Sequence, residues 1–216
     1  VLAVIRYTPG MRAEDVLPAL ESFGGSLVGV VVNGVTRYQS HTVASSLAPA
    51  LEAGGIRVIG LLPETRRMLG ITVGQMVGHL KGEFLMGTEK WDQLVDHVMI
   101  GGLVMNPGID YFSRYERKAV IVRGDRPDIQ MAALATPTEC LVLTGGHRPV
   151  QYIEHEAREE EIPLVMVEEN TLTTAKSMET LFGGATVHHP DKADCFAELL
   201  ESTVAPEALD TLLGTS

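Results

Sequence analysis

Three apolar runs of this chain break off into short polar stretches whose residue types could hold a small ligand. AVIV (119–122) leads into Arg123-Gly124-Asp125-Arg126, CLVL (140–143) into Thr144-Gly145-Gly146-His147-Arg148, and PLVMV (163–167) into Glu168-Glu169-Asn170-Thr171. The planar guanidinium of Arg126 carries a fixed fork of donors that suits a carboxylate or a phosphate. Two readings of it stand: ligand binding, or an internal ion pair with Glu168 or Glu169. Adjacent glycines at 145 and 146 permit positive φ and close approach by a ligand or a neighbouring backbone, and successive amides at a helix start can cradle an anion. Asn170 can present a side-chain amide, and Thr171 or Thr173 can cap the helix that follows. Asp125 suits an N-cap and Pro127 an early helical position.

These residues supply no nucleophile with an adjacent base. His147 is the one imidazole in these stretches, but a histidine at a loop end more often caps or faces solvent than catalyses. His188-His189 with Asp191 shows no third metal ligand, and consecutive histidines point apart in most backbones, so a surface role is expected. No catalytic residue and no metal site is assigned.

Elements must bring the three stretches together. Strand-like runs rich in β-branched residues occupy 1–7, 27–32, 56–62, 119–122, 140–143 and 163–167, and helical periodicity occupies about 12–22, 41–54, 72–80, 89–99, 127–134, 149–160 and 172–181. Continuous apolar strands alternating with helices predict an α/β fold with parallel sheets covered on both faces. GIDYFSRYERK (108–118) reads as a helix end entering the strand at 119, with Tyr111, Phe112 and Tyr115 as core or dimer contacts, and the tail after about 204 as a short helix or frayed end. Ligands of open parallel sheets bind beyond the carboxyl ends of the strands. The expected ligand-binding set is therefore Gly124, Asp125, Arg126, Thr144, Gly145, Gly146, Asn170 and Thr171, converging on one crevice at a topological switch point that serves a small ligand or a subunit contact.

The chain has 216 residues, a hydrophobic fraction of 45%, a charged fraction of 21% and a formal net charge of -11. That length can bury a sizeable core in one large or two small domains. The negative balance opposes a nucleic-acid or anionic-membrane surface but not a local basic cleft. Cys140 and Cys195 lack metal-ligand spacing, and a buried free thiol is expected at Cys140. A cytoplasmic location follows from this cysteine usage. No apolar stretch approaches a membrane span. Val1 opens directly on a strand-like run, so an upstream segment is expected in the native protein.

The glycine-rich passage KGEFLMGTEKW (81–91) suggests a domain boundary near 88, giving domains 1–88 and 89–216. In the first, strand 27–32 ends on Asn33-Gly34 and strand 56–62 on Pro63-Glu64, which puts Asn33, Pro63 and Glu64 on the ligand side of the sheet. A side-chain amide there could read a purine edge; Asn-Gly is also a favoured turn pair. No G-x-x-x-x-G-K-[ST] phosphate loop is present, so these residues cannot build a complete P-loop ATPase site.

The run LVGVVVNGV with IRVIGLLPETRRMLGITVGQMVGHLKGEFLMG resembles the later half of a dethiobiotin-synthetase-like P-loop domain, as found at the amino terminus of long phosphotransacetylases. KAVIVRGDRPDIQMAALATPTECLVLTGGHRP resembles the DRTGG domain that follows it in those proteins. The two resemblances reach from Val1 to about Leu200. They imply two Rossmann-like domains: an incomplete P-loop-NTPase-like sheet without its phosphate-binding half, then a DRTGG domain. Asn33, Pro63 and Glu64 would be a vestigial nucleotide-base site, with no cofactor unless a phosphate loop lies upstream. The resemblance further implies a non-catalytic regulatory or ligand-binding module that forms a homodimer and receives a small anionic ligand or nucleotide. Two alternatives stand: a fragment of an ATP-dependent dethiobiotin-synthetase-like enzyme, and a purely structural dimerisation module.

Overall fold

The computed structural model describes residues 1–102, 105–204 and 208, with side chains throughout except at 105–107. It divides into two compact units, Val1–Met68 with Val187–Ser216, and Leu69–Thr186.

In the first unit β1 (Leu2–Arg6), β2 (Gly29–Val35) and β3 (Val58–Pro63) form a parallel sheet in the order β1-β2-β3. Val30, Val31 and Val32 are all buried because β2 is covered on both faces, which is why its sequence reads as an unbroken apolar run. One face packs against α1 (Ala13–Glu21), α2 (Ser40–Thr42), a π-helical turn (Val43–Leu47) and α3 (Ala48–Ala53), through Leu20, Val30, Val32, Leu47 and Leu51. α4 (Arg66–Leu69) follows β3.

The second unit runs β4 (Ile71–Thr72), α5 (Val73–Leu80), β5 (Glu83–Met86), β6 (Leu94–Val95), β7 (His97–Ile100), α6 (Met105–Phe112), β8 (Lys118–Arg123), α7 (Pro127–Leu134), β9 (Cys140–Thr144), α8 (Gln151–Glu159), β10 (Leu164–Val167) and α9 (Thr171–Gly183). Its five-stranded sheet has the order β5-β10-β9-β8-β7, parallel except for β5, while β4 and β6 pair as a small antiparallel ribbon. Helix α5 starts on a capping box in which the Gln75 amide N–H donates to Thr72 Oγ1 at 3.1 Å and the Thr72 N–H donates to Gln75 Oε1 at 2.9 Å. One face of the sheet packs Val120, Val122, Leu141 and Leu143 against Phe112 of α6, Ile129 and Ala133 of α7, and Ile153 and Ala157 of α8. The other packs Ile121, Val142 and Val165 against Met76 of α5 and Met178 of α9.

Beyond this unit α10 (Pro190–Thr203), with His189 as its N-cap, returns to the first. Its Leu199 and Leu200, with Val204, close the second face of the first sheet over Val31, Ile59 and Leu62.

The α/β class with parallel-dominated sheets is as the sequence predicts. Three expectations differ. The helix expected at 89–99 is a short 3₁₀ turn (Thr88–Lys90) followed by β6 and β7. Trp91, Leu94, Val95 and Val98 do recur at helical spacing, but the edge of β8 offers a ladder, and His97–Ile100 take it by pairing with Lys118–Ile121. Second, the chain divides at 68/69 rather than near 88: Ile71, Val73, Met76 and Val77 are buried within the second unit, and β5 pairs with β10. Third, α10 was not expected from the sequence. The expected tail after 204 lies outside the described residues apart from Ala208.

Candidate functional site

β8, β9 and β10 are adjacent and parallel, so the three polar stretches leave the same edge of one sheet. From β9 the chain passes to α8 on one face, and from β10 to α9 on the opposite face. The switch point therefore lies between β9 and β10, with Thr144-Gly145-Gly146 on one side and Glu168-Glu169-Asn170-Thr171 on the other.

The loops touch. A Cβ on Gly124 would stand 2.2 Å from the His147 carbonyl oxygen, so glycine is required for the first loop to lie against the second. Thr144 is buried, and its Oγ1 lies 2.8 Å from Thr171 Oγ1, tying the second loop to the third. Gly145 and Gly146 adopt φ of +85° and +68°. Their amides donate to Glu169 O and Val167 O, both at 3.0 Å. The expectation of an anion nest built from these two amides is corrected accordingly: they are spent fastening the β9 loop to the β10 loop. Asn170 caps α9, its Oδ1 accepting from the Thr173 N–H at 3.0 Å.

The charged residues also differ from expectation. Asp125 does not cap α7; it accepts from the Arg123 guanidinium, Nε to Oδ1 at 2.9 Å and a second bond at 2.5 Å, and this pairing holds its carboxyl below the usual range. The N-cap is Arg126, with Pro127 at the first helical position. Arg126 pairs with neither Glu168 nor Glu169 but with Asp128, at 2.9 and 2.7 Å. The local geometry decides this: Asp128 sits in the first turn of α7, two residues on, where a bidentate fork closes without bridging loops. Arg148 at the same edge reaches Glu83 of β5 at 3.2 Å.

Gln130 completes the arrangement. It is fully buried, and its Nε2 donates to the carbonyls of Arg123 at 2.9 Å and Gly124 at 3.0 Å, holding the first loop onto α7, while its Oε1 has no partner. The sequence carried a signal for it: a polar residue within the apolar face of IQMAALA.

In the first unit Asn33 and Gly34 do not turn the chain. They form a bulge within β2, with Gly34 at φ +78°, and the strand continues to Val35. Asn33 O accepts from the Tyr7 N–H at 2.8 Å, and the Glu64 N–H donates to Val35 O at 2.9 Å, so Asn33, Pro63 and Glu64 share the carboxyl edge of that sheet. A cavity of about 410 Å³ opens off the same unit between Tyr7, Met11, Arg12, Thr42, Val43 and Ser46, and none of the three lines it.

Of the other candidates, His189 accepts from the Asp191 N–H at 3.2 Å as a helix cap. Among the described residues no cluster of three or more His, Cys, Asp or Glu side chains could hold a metal ion. Cys140 and Cys195 are free and buried, and burial pushes the Cys140 thiol strongly up. Phe112 lies in the core, whereas Tyr115 is exposed and stacks on His97 at 4.1 Å between ring centres. No helix among the described residues is long and apolar enough to cross a membrane.

Residues 75–181 match the family model of the DRTGG domain. A phosphate acetyltransferase of Nitratidesulfovibrio vulgaris is 26% identical over 207 residues, covering 90% of this chain and 29% of its own length, so the chain spans under a third of that relative. The CBS and DRTGG domains of the regulatory region of Clostridium perfringens pyrophosphatase, solved with the activator diadenosine tetraphosphate, align at 20% identity and a TM-score of 0.43, over 51% of this chain and 46% of that one.

Proposed function

We propose that this chain, which carries a DRTGG domain at residues 75–181, is a non-catalytic regulatory module whose three-loop edge receives a small anionic ligand. The observation that carries this reading is the convergence of the β8, β9 and β10 loops where α8 and α9 leave on opposite faces. Gly124, Thr144, Gly145, Gly146, Asn170 and Thr171 shape the backbone of the site. Arg126, with Arg123 beside it, is its cationic part. Each arginine already holds a carboxylate two residues away, so a phosphate or carboxylate ligand binds by taking over that partner's place on the guanidinium. Relation to a phosphate acetyltransferase makes acetyl phosphate and nucleotides the first ligands to try.

A thermal-shift screen of acetyl phosphate, nucleotides and carboxylates tests it on wild type and Arg126→Ala. The Arg126–Asp128 pair is solvent-accessible, and water screens such pairs so that they add little to stability. The variant is therefore expected to melt within about 3 °C of wild type while losing the ligand-induced shift. A variant that melts much lower yet keeps an undiminished ligand shift contradicts the assignment.

A homodimer through the second unit is a companion reading, and one feature favours it. β7 is one of the two edge strands of the five-stranded sheet and exposes Ile100, and an edge strand beside apolar surface is a natural place for a second copy to pair. Light scattering is expected to return twice the chain mass of 23.3 kDa. A monomer mass at high concentration removes this reading. The dethiobiotin-synthetase-like character of the first unit rests on the resemblance alone, and no nucleotide cofactor is proposed for these residues.

A further inference from the structure

Gln130 interrupts the apolar run IQMAALA of α7 and is fully buried. Its amide group carries two N–H donors and an oxygen with two acceptor lone pairs. Both donors are used, Nε2 donating to the Arg123 carbonyl at 2.9 Å and to the Gly124 carbonyl at 3.0 Å. Turning the amide over would set Oε1 against those two carbonyl oxygens, so the partners fix which atom is which. Oε1 is left without a partner. Arg67 Nε and Gln93 Oε1 share that lack among the described residues, but they belong to partly exposed side chains. An acceptor sealed from water and left unbonded is costly, and tying the first loop to α7 needs only the donors.

The position of this oxygen is informative. The amide is planar, so Oε1 stands next to Nε2 and therefore beside the Arg123-Gly124 backbone, the first wall of the ligand edge. The Gln130 N–H donates to the Arg126 carbonyl at 3.1 Å, which sets the two residues one turn apart on the same face of α7. The guanidinium suited to an anion and the unbonded acceptor thus share the start of one helix. Arg123 and Arg126 do not supply the missing donor, because each guanidinium is turned to its own carboxylate, Asp125 or Asp128.

We infer that the ligand of this edge carries a hydroxyl or an amine beside its phosphate or carboxylate, and that Gln130 Oε1 accepts from it; this rests on the three-loop anion site of the proposed function. Oε1 is sealed from solvent, so the donor reaches it as the ligand displaces Asp128 from Arg126 and the start of α7 opens. The ligand class narrows to hydroxy acids, amino acids, sugar phosphates and nucleotides. Acetyl phosphate and plain carboxylates, which lack such a donor, become the weaker ligands. Gln130 is then a specificity-determining residue, since a buried acceptor discriminates against an analogue that leaves it unbonded.

Matched anions test this by chemical-shift titration: glycerol 3-phosphate against propyl phosphate, lactate against propionate, and AMP against acetyl phosphate. At least one donor-bearing probe is expected to give saturable shifts in the three loops, to move the Gln130 side-chain carbonyl resonance, and to bind about tenfold or more tightly than its partner. Gln130→Met keeps the volume and removes the acceptor, so the two members of that pair are expected to bind it about equally. Where Gln130→Met fails to fold, the Gln130 carbonyl resonance of wild type decides, because a purely structural glutamine would not respond to the donor. Equal affinities within every pair at the three loops, a Gln130 resonance that stays still while donor-bearing probes bind there, or an undiminished preference in folded Gln130→Met overturns this inference and leaves the anion site standing. No saturable shift in the three loops with any probe removes the site and the inference together.

Discussion

Gly124→Ala is expected to be the most damaging single methyl group that can be added to the ligand edge. The new Cβ would lie 2.2 Å from the His147 carbonyl oxygen and 2.8 Å from the His147 Cβ, so the two loops must part. The His147 backbone is held in turn by Gly145 and Gly146, whose amides are bonded to the β10 loop, and there is little slack to absorb the shift. Overpacking of this kind costs about 3 kcal/mol, which for a chain of this length lowers the melting temperature by roughly 6–12 °C. Gly145→Ala is the control: its Cβ would meet nothing closer than His147 Cδ2 at 3.5 Å, and only the backbone strain of φ +85° remains, worth about 1–2 kcal/mol. Gly145→Ala should thus melt higher than Gly124→Ala. The reverse order would show that the loops are not packed against each other as described.

The second large effect is at Lys118, which opens β8 with its side chain fully buried. Its Nζ donates to the Pro137 carbonyl, and burial pulls its pKa from 10.5 down to about 8, against an opposing pull from Glu139. The unfolded chain keeps the ordinary value. Below about pH 8 both states hold the proton and the full penalty of burying the charge is present, about 3 kcal/mol. Between pH 8 and 10.5 the unfolded state binds more protons than the folded one, so this group's contribution to stability rises with pH. Lys118→Met removes the charge at similar volume and leaves the Pro137 carbonyl without its donor, a loss of about 1 kcal/mol. The variant is expected to be more stable than wild type by about 1–3 kcal/mol at pH 7, with the advantage shrinking toward pH 10 as the wild type sheds its proton. A difference that stays constant from pH 7 to pH 10 would contradict a buried, titrating ammonium.

The placement of the three strand ends was legible because parallel strands buried on both faces announce themselves as short, continuous β-branched runs, and their carboxyl ends must share an edge. What each polar residue does there was not legible, because partners depend on loop geometry. Arg126 had acids at 128, 168 and 169 to choose from, and only the start of α7 selects Asp128. The amides of Gly145 and Gly146 looked free for an anion until β10 was seen to consume them. Residues 89–99 carry apolar spacing that suits either a helix or short strands, and the open edge of β8 decided between them. The division between units was obscured for a similar reason: glycine-rich 81–91 looks like a linker, yet it contains β5, which completes the second sheet.

The central claim is that the loops after β8, β9 and β10 form one ligand site. Amide chemical-shift mapping tests it most directly, by titrating the isotope-labelled protein with acetyl phosphate, nucleotides and small carboxylates. The account predicts saturable shifts confined to residues 123–126, 144–148 and 168–171 for at least one of these anions, moving together with a single affinity and abolished in Arg126→Ala. Shifts centred elsewhere in the chain, or no saturable shift in these three loops with any of them, would contradict it.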